Sequence, residues 1–312
     1  MMKITFIFAL LVFTIFAKAQ VLLTEDFDYF SGSNLLGQGS WGLTGNAETP
    51  GIQVTAASIS YTGYLGSSVG NELKLTYGED LNKEFTAQTT GTVYVSFLIN
   101  VSATPVNSDY FIHIGSSVMG DAFIGRIFIK ADKTIGKFVF GILNAPGGTA
   151  TYSTTTYDIN TTHLVVLKHD IVANTSYIVI NPSLFSEPTI GWISNKSGTN
   201  STTNIGSVGV CQPLFSSAFI AKLDGIRVAT SWSALLTSTE PSNPTPKSFI
   251  TIVSGKNLLF KNISEGSTVE IFSALGSKIQ TSAIENGKVY LNNLTRGMYV
   301  VRIKNMIQKI IY

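Results

Sequence analysis

The run Thr92–Val101 reads TVYVSFLINV, and it decides the fold of the chain. Nearly all of it is β-branched, aromatic or otherwise apolar, and such residues lose rotamer freedom in a helix but pack well on a pleated sheet. Gly91 precedes the run and Thr104-Pro105 follows it, so turn residues bound both ends. The run therefore predicts a buried β-strand.

Further runs of the same kind lie on either side, separated by turn signals such as Gly147-Gly148 and Asn181-Pro182. No helical period is present except a short turn at Ser233–Leu236. Roughly a dozen strands in about 215 residues predict an all-β body with two stacked antiparallel sheets. The further predicted strands are Glu72–Tyr77, Tyr110–Ile114, Phe123–Ile129, Lys137–Leu143, His163–His169, Thr175–Ile180, Ser207–Gln212 and Ala218–Val228.

The charges of the 312 residues are unevenly distributed. Residues 20–247 carry 11 Lys and Arg against 16 Asp and Glu, a net charge of −5, whereas residues 248–312 carry 8 against 3, a net charge of +5. Nucleic acid is bound through basic patches, so an acidic body argues against a nucleic-acid partner. The basic residues of the tail are scattered, which is typical of solvated strand faces.

The cysteine and histidine residues do not predict a disulfide or a zinc site. The single cysteine, Cys211, excludes an intramolecular disulfide, and we expect it to be a buried apolar residue. His163 and His169 share one face of a strand but lie about 20 Å apart at ~3.3 Å per residue, so they cannot bind one zinc ion.

Residues 1–19 are predicted to be a signal peptide. Lys3 gives a positive start, Ile4–Phe16 is an almost unbroken apolar run, and Ala17-Lys18-Ala19 has the small-x-small pattern of a cleavage site. The run is shorter than the roughly 20 residues of a membrane-spanning helix. We therefore expect cleavage after Ala19, a mature chain that starts at Gln20, and no transmembrane segment in it.

A linker with three prolines, residues 237–247 (TSTEPSNPTPK), separates the body from residues 248–312. The tail predicts seven short strands and a small Ig-like β-sandwich. These strands are Phe249–Val253, Asn257–Phe260, Thr268–Ser273, Lys278–Thr281, Lys288–Leu291, Gly297–Lys304 and Met306–Ile311.

Three motifs make the tail resemble type IX C-terminal sorting domains. Val269–Gly276 (VEIFSALG) matches the pattern V-x-I-Y-x-x-x-G, apart from Phe in place of Tyr. Leu291–Ile303 (LNNLTRGMYVVRI) matches L-x-x-L-x-x-G-x-Y-x-x-x-I, and Lys309–Ile311 fits the ending K-I-I. The alternative is an ordinary Ig-like stability module.

The resemblance implies a sorting motif that includes Gly276, Gly297, Tyr299 and Lys309. We expect Gly297 to allow a positive-φ turn before its strand. The implied partner is the type IX secretion machinery, which reads the tail at the outer membrane after the chain has reached the periplasm. The protein is then secreted or held at the outer cell surface, and the tail is usually removed.

The body, residues 20–236, resembles concanavalin-like, laminin-G-type jelly rolls. Thr24–Tyr29 (TEDFDY) is similar to their first strand, and Leu223–Trp232 (LDGIRVATSW) is similar to their last. The resemblance implies an antiparallel two-sheet jelly-roll sandwich in which the first and last strands lie together.

A structural calcium ion is implied by the same resemblance, because these jelly rolls often hold Ca²⁺ with a carboxylate near the first strand and another on the last. Glu25 or Asp26, together with Asp224, would be those ligands, since oxygen atoms suffice for calcium. The alternative is that these carboxylates are solvated or bound by N–H groups. No other cofactor is expected.

Jelly rolls of this class include enzymes that cleave polysaccharides, but their residue patterns are incomplete here. Laminarinase-type glycosidases use Glu-x-Asp-x-x-Glu, in which alternation turns residues i and i+2 to one face; residues 25–28 lack the outer Glu of that pattern. Alginate-lyase-like jelly rolls use a Gln-x-His strand, and the nearest match, Phe111-Ile112-His113, lacks the Gln. We therefore expect a protein that is not an enzyme.

Sugar rings bind to exposed aromatic side chains. The predicted ligand contacts are Trp41, Tyr64, Tyr110 and Trp192, with Tyr61, Tyr152 and Tyr157 as further candidates, whereas Trp232 is expected to pack behind the last strand. The leading hypothesis is a non-catalytic, secreted or cell-surface module that binds glycan, with polysaccharide as its partner, or contributes to adhesion. The alternatives are a glycoside hydrolase or polysaccharide lyase of the jelly-roll class, and a structural surface protein without a ligand.

Overall fold

The computed structural model describes residues 19–45, 49–105, 107–202, 204–212, 219–236, 251–254, 256–260, 263–273, 277–292, 294–303 and 306–312. The chain divides into two compact units, Met1–Ser238 and Thr239–Tyr312. Residues 1–18 of the predicted signal peptide and the predicted linker lie outside the described residues. No helix within the described part of the chain has the length and apolar character needed to cross a membrane.

The first unit is a sandwich of two antiparallel sheets, as predicted. Sheet A has eight strands, seven of them in the spatial order β14, β13, β12, β6, β16, β4, β3, and β1 also pairs with β16. Their bounds are β1 Val21–Glu25, β3 Gln53–Thr55, β4 Glu72–Leu75, β6 Thr92–Ala103, β12 Thr162–Asp170, β13 Thr175–Ile180, β14 Ile193–Asn195 and β16 Ile220–Ala229. The first and last strands of the body therefore lie together.

Sheet B also has eight strands, in the order β10, β9, β8, β7, β15, β5, β2, with β11 paired to β9. Their bounds are β2 Gly42–Leu43, β5 Asp80–Gln88, β7 Asp109–Gly115, β8 Ile124–Ala131, β9 Lys137–Leu143, β10 Thr151–Tyr152, β11 Tyr157–Asp158 and β15 Ile205–Cys211. The helix α1, Trp232–Leu236, follows β16.

The core lies between the two sheets. Alternate residues of β6, including Val95, Phe97 and Ile99, meet Phe111 of β7 and Phe138 of β9 there, all at 1% exposure or less. The edge-to-face contact of Phe97 with Phe111, with ring centroids 5.8 Å apart, joins the sheets. The run quoted at the start is thus the central strand of sheet A and is buried on both faces.

The second unit has the seven predicted strands in two sheets. Sheet C has the order β17, β18, β21 and sheet D the order β20, β19, β22, β23. Their bounds are β17 Thr251–Ser254, β18 Asn257–Phe260, β19 Thr268–Ser273, β20 Lys278–Ala283, β21 Lys288–Tyr290, β22 Met298–Ile303 and β23 Met306–Ile311.

The residues of the sorting motif have definite places in this unit. Gly297 does not have a positive φ, so that prediction is wrong; instead its N–H and C=O both pair with Tyr312, which fixes the end of the chain. The hydroxyl of Tyr299 donates a 2.7 Å hydrogen bond to the carbonyl of Thr295. Gly276 lies outside the described residues, and Lys309 is in β23.

Candidate functional site

Glu25, one of the predicted calcium ligands, ends β1 and is 4% exposed. Its carboxylate accepts hydrogen bonds from the N–H of Phe27 at 2.8 Å, the hydroxyl of Tyr29 at 2.6 Å and Nε1 of Trp41 at 3.1 Å. It also forms an ion pair with Lys83. These four donors make Glu25 a hub between β1, β5 and the residues that follow β1.

The other two predicted calcium ligands have different partners. Asp26 forms a 2.5 Å ion pair with Arg227 of β16. Oδ2 of Asp224 accepts a 2.8 Å hydrogen bond from the N–H of Ile59, whereas its buried Oδ1 has no hydrogen-bond partner among the described residues. Burial raises the pKa of this carboxyl to about 8. Within the described ranges, no three His, Cys, Asp or Glu side chains form a group that could hold a metal ion. Calcium binding stays a prediction.

Two of the predicted aromatic contacts lie in the interior. Trp41 is 1% exposed and bound to Glu25. Tyr64 is 4% exposed, and its hydroxyl donates to the carbonyl of Gly225 at 2.6 Å and lies 2.7 Å from Oγ of Ser96. Neither ring is open to a ligand in this conformation.

Trp192 lies in an aromatic cluster on the outer side of sheet A. Its ring meets Tyr177 and Trp232 edge to face, with centroids 6.3 and 6.1 Å away. Nζ of Lys168 lies 5.6 Å from the Trp192 ring and 2.6 Å from a carboxylate oxygen of Glu187. The protein's own lysine therefore fills the position that a ligand cation would take. A groove of ≈ 650 Å³ adjoins this cluster and is lined by Tyr94, Glu187 and Trp232, among others.

The outer side of sheet B carries a second set of aromatic and basic side chains, named here the β8 face: Tyr110, Arg126, Phe128, Lys130, Gly141 and Tyr152. Along β8, Ile127 and Ile129 point into the core, so the alternate residues Arg126, Phe128 and Lys130 point away from it. Arg126 and Phe128 are partly exposed, and Lys130 is exposed.

Strand pairing places four residues of the β8 face side by side across four strands. Tyr110 is opposite Phe128, Phe128 is opposite Gly141, and Gly141 is opposite Tyr152. A Cβ at Gly141 would lie 2.6 Å from the Tyr152 ring, so only glycine lets that ring rest on the sheet. The hydroxyl of Tyr152 lies 2.5 Å from Oγ of Ser108, which holds the ring in place.

Each cation of the β8 face lies against a tyrosine ring. Cζ of Arg126 is 5.4 Å from the centroid of Tyr110, and Nζ of Lys130 is 5.3 Å from the centroid of Tyr152. Nε of Arg126 is buried and has no hydrogen-bond partner among the residues that the structure describes. Burial raises the pKa of Tyr110, which keeps its phenol neutral.

His113 lies beside Tyr110 but is completely buried. Its ring stacks on Phe123 at 4.2 Å and packs on Gly209 of the neighbouring strand, where any side chain would collide with it. Both ring nitrogens lack a partner in the described structure, and burial lowers the pKa to about 3. The imidazole is therefore neutral and is out of reach of a substrate in this conformation.

Cys211 is buried, as predicted, and burial raises the pKa of its thiol. The other two histidines are buried too: His169 contacts Oγ of Ser176 at 2.9 Å, and His163 contacts Asn181 at 3.1 Å. These groups take part in packing and internal hydrogen bonds.

The sequence reasoning found Tyr110 and Tyr152 as candidates but missed Arg126, Phe128 and Lys130. The signal was present, because residues 124–131 read IGRIFIKA, with core residues alternating with Arg, Phe and Lys. The seating of Tyr152 on Gly141 was not visible, since it depends on the register between two strands.

Comparison with known proteins bears on the two units differently. Residues 243–312 match the family described as "Secretion system C-terminal sorting domain". A search of curated proteins found no match.

The solved structures that match include Trypanosoma rangeli sialidase, at 12% identity and a TM-score of 0.37, covering 58% of this chain and 31% of that one. The receptor-binding domain of botulinum neurotoxin type G matches at 10% identity and a TM-score of 0.33, covering 80% and 62%. The alginate lyase A1-II', of polysaccharide lyase family 7, matches at 12% identity and a TM-score of 0.32, and the match covers 60% of this chain and 84% of the lyase. The chain thus spans less than a third of the sialidase, and similarity at these TM-scores carries no inference about activity or ligand.

The sorting tail indicates a protein that is secreted or carried at the cell surface. Residues 243–312 of this chain therefore match a secretion system C-terminal sorting domain, and they follow a body that is built as a β-sandwich.

Proposed function

We propose that the body is a non-catalytic module that binds a polysaccharide on the β8 face and so acts in glycan recognition or adhesion after export. The observation that carries the proposal is the Tyr152 ring seated on Gly141 beside the partly exposed Phe128. Pyranose rings have apolar faces, and a flat aromatic surface flanked by hydrogen-bonding groups is the usual protein counterpart.

The state of the nearby titratable groups supports binding without catalysis. A general base must reach the proton it removes and must have a pKa near the working pH. His113 is enclosed and has a pKa of about 3, and Tyr110 holds its proton because burial raises its pKa. Neither group suits the removal of a proton from a bound sugar at neutral pH.

A glycan array on the chain from residue 20 to residue 312, with and without Ca²⁺, tests the proposal. We expect binding to at least one polysaccharide and its loss in Tyr152→Ala. The matched control is Tyr77→Ala, because Tyr77 is an exposed tyrosine outside the β8 face; it should bind as the unmodified protein does. Absence of binding to every glycan would favour a structural surface protein, and release of reducing ends would favour an enzyme.

A further inference from the structure

We propose that the ligand is an acidic polysaccharide, whose carboxylate or sulfate groups are bound by Arg126 and Lys130 on the β8 face. This inference rests on the proposed function and names the chemical class of its ligand. The aromatic surface explains why a sugar ring would bind, whereas the two cations determine which charge that sugar must carry.

The spacing of the two cations suits a chain-like ligand. Arg126 and Lys130 are four residues apart on one face of β8, a separation of about 13 Å. Phe128 lies midway between them, and the Tyr152 ring lies beside Lys130. A short stretch of polysaccharide lying along β8 would therefore meet cation, aromatic surface and cation in turn.

Neither cation is neutralised by the described part of the protein. Among the residues that the structure describes, neither Arg126 nor Lys130 forms an ion pair with a carboxylate, and Nε of Arg126 has no hydrogen-bond partner. Burial lowers the pKa of Arg126, and the charge of the nearby Asp109 opposes this shift, but the two side chains form no ion pair. The Asp109 carboxylate instead accepts a 2.8 Å hydrogen bond from the N–H of Tyr110.

Among the described residues of the body, the buried and partly buried cations other than Arg126 have carboxylate partners, whereas Lys74, Lys133 and Lys196 are exposed and, like Lys130, form no ion pair. Carboxylate partners are present in the pairs Lys83–Glu25, Lys137–Asp158, Lys168–Glu187, Lys222–Glu72 and Arg227–Asp26. Burying a guanidinium without a partner costs free energy, and burial lowers the pKa of Arg126. A ligand carboxylate or sulfate would remove that cost, and the planar guanidinium can bind either group through two parallel hydrogen bonds.

The test compares ligands that differ only in charge. The chain from residue 20 to residue 312 is titrated with polygalacturonate and with its methyl ester, and separately with dextran sulfate and with dextran. We expect each charged polymer to bind at least about tenfold more tightly than its neutral counterpart at low salt, and this preference to shrink as salt is added.

Three variants locate the effect. Arg126→Gln should weaken binding of the charged polymer about tenfold, and Arg126→Lys should weaken it less because the charge remains while the planar fork is lost. Lys130→Gln should weaken it about threefold, because an exposed cation contributes less. Lys137→Gln is the matched control, since this lysine is in the same sheet but is paired with Asp158; its binding should be unchanged. Circular dichroism checks that each variant is folded.

The outcomes separate this inference from the proposed function. Equal affinity for the charged and neutral polymers, or full affinity in Arg126→Gln, would overturn the inference and leave polysaccharide binding standing. Binding to none of the four polymers, together with none on the array, would overturn both.

Discussion

Replacement of Glu25 by alanine should destabilise the body strongly, because this buried carboxylate has four donors. Removing it leaves the ammonium of Lys83, which is 15% exposed, without a carboxylate and with only its 3.1 Å hydrogen bond to the Tyr29 hydroxyl, and it leaves Nε1 of the buried Trp41 without its acceptor. Loss of one partner from a buried ion pair costs about 3–5 kcal/mol. In a unit of this size, each kcal/mol of lost stability lowers the melting temperature by about 2–4 °C, so the melting temperature should fall by roughly 6–20 °C.

Lys83→Met should cost less, about 1–2 kcal/mol, because the carboxylate of Glu25 keeps three hydrogen bonds from neutral donors. In the double variant the two losses should not add, since the ammonium left unpaired in Glu25→Ala is then absent. Lys137→Met is the control: this ion pair with Asp158 is largely exposed, and its loss should change stability by no more than about 0.5 kcal/mol.

Urea unfolding followed by tryptophan fluorescence measures these differences in the body alone. The three tryptophans of the chain are Trp41, Trp192 and Trp232, and all lie within residues 20–236. A loss of unfolding free energy below about 1 kcal/mol in Glu25→Ala, or a larger loss in Lys83→Met than in Glu25→Ala, would refute the stabilising role assigned to the Glu25 carboxylate. If Glu25 stabilises the body through these hydrogen bonds, Glu25→Ala should lower the free energy of unfolding by the same amount in Ca²⁺ and in EDTA. A loss of stability that is seen in Ca²⁺ and disappears in EDTA would mean that Glu25 acts through a metal ion.

Four further outcomes are expected. If calcium binds the body as predicted, EDTA should lower its melting temperature and added Ca²⁺ should restore it; an unchanged melt would exclude a structural calcium ion. Because the folded state holds His113 neutral with a pKa of about 3, unfolding takes up a proton, so stability should fall as pH drops from about 6.5 towards 3, by up to about 1.4 kcal/mol per pH unit, and less steeply in His113→Gln. Tyr299→Phe should cost the tail about 1 kcal/mol through loss of the hydrogen bond to Thr295, seen as a lower melting midpoint of that unit. Deletion of residues 248–312 should retain the protein in the periplasm in cell fractionation, and arrival at the surface would contradict the sorting role of the tail.

Strands with a strong apolar pattern could be predicted from the sequence, and polar ones could not. Lys137–Leu143 and Thr175–Ile180 have the predicted limits, because nearly every residue in them favours a strand and turn residues stop them. β5, Asp80–Gln88, was missed: only Leu81 and Phe85 of its nine residues are buried, and its polar residues are also common in loops. Its place in the sheet comes from pairing with β15, a long-range property.

The aromatic candidates show why a site is harder to predict than a fold. Trp41 and Tyr64 have the residue type of a sugar contact, but their partners Glu25 and Gly225 are 16 and 161 positions away in sequence and hold them in the interior. Tyr152 is aromatic as well, but the residue opposite it on the neighbouring strand is Gly141, whose missing side chain leaves room for the Tyr152 ring on the surface of the sheet. Residue type alone does not separate these cases, because exposure depends on register and on distant partners.

Residues 20–247 have a net charge of −5, which opposes the approach of an acidic ligand at long range. At physiological ionic strength, however, charges more than about 8 Å apart are largely screened. The repulsion from scattered carboxylates therefore weakens with distance, whereas Arg126 and Lys130 would touch the ligand directly. The same reasoning keeps nucleic acid unfavourable, because its binding typically needs about 6–10 phosphate contacts, and the β8 face supplies two cations on one strand. A local pair of unneutralised cations beside an aromatic surface thus favours an acidic polymer whose sugar faces can stack and which needs only two charge contacts, and disfavours a nucleic acid, whose binding depends on contacts to many phosphates.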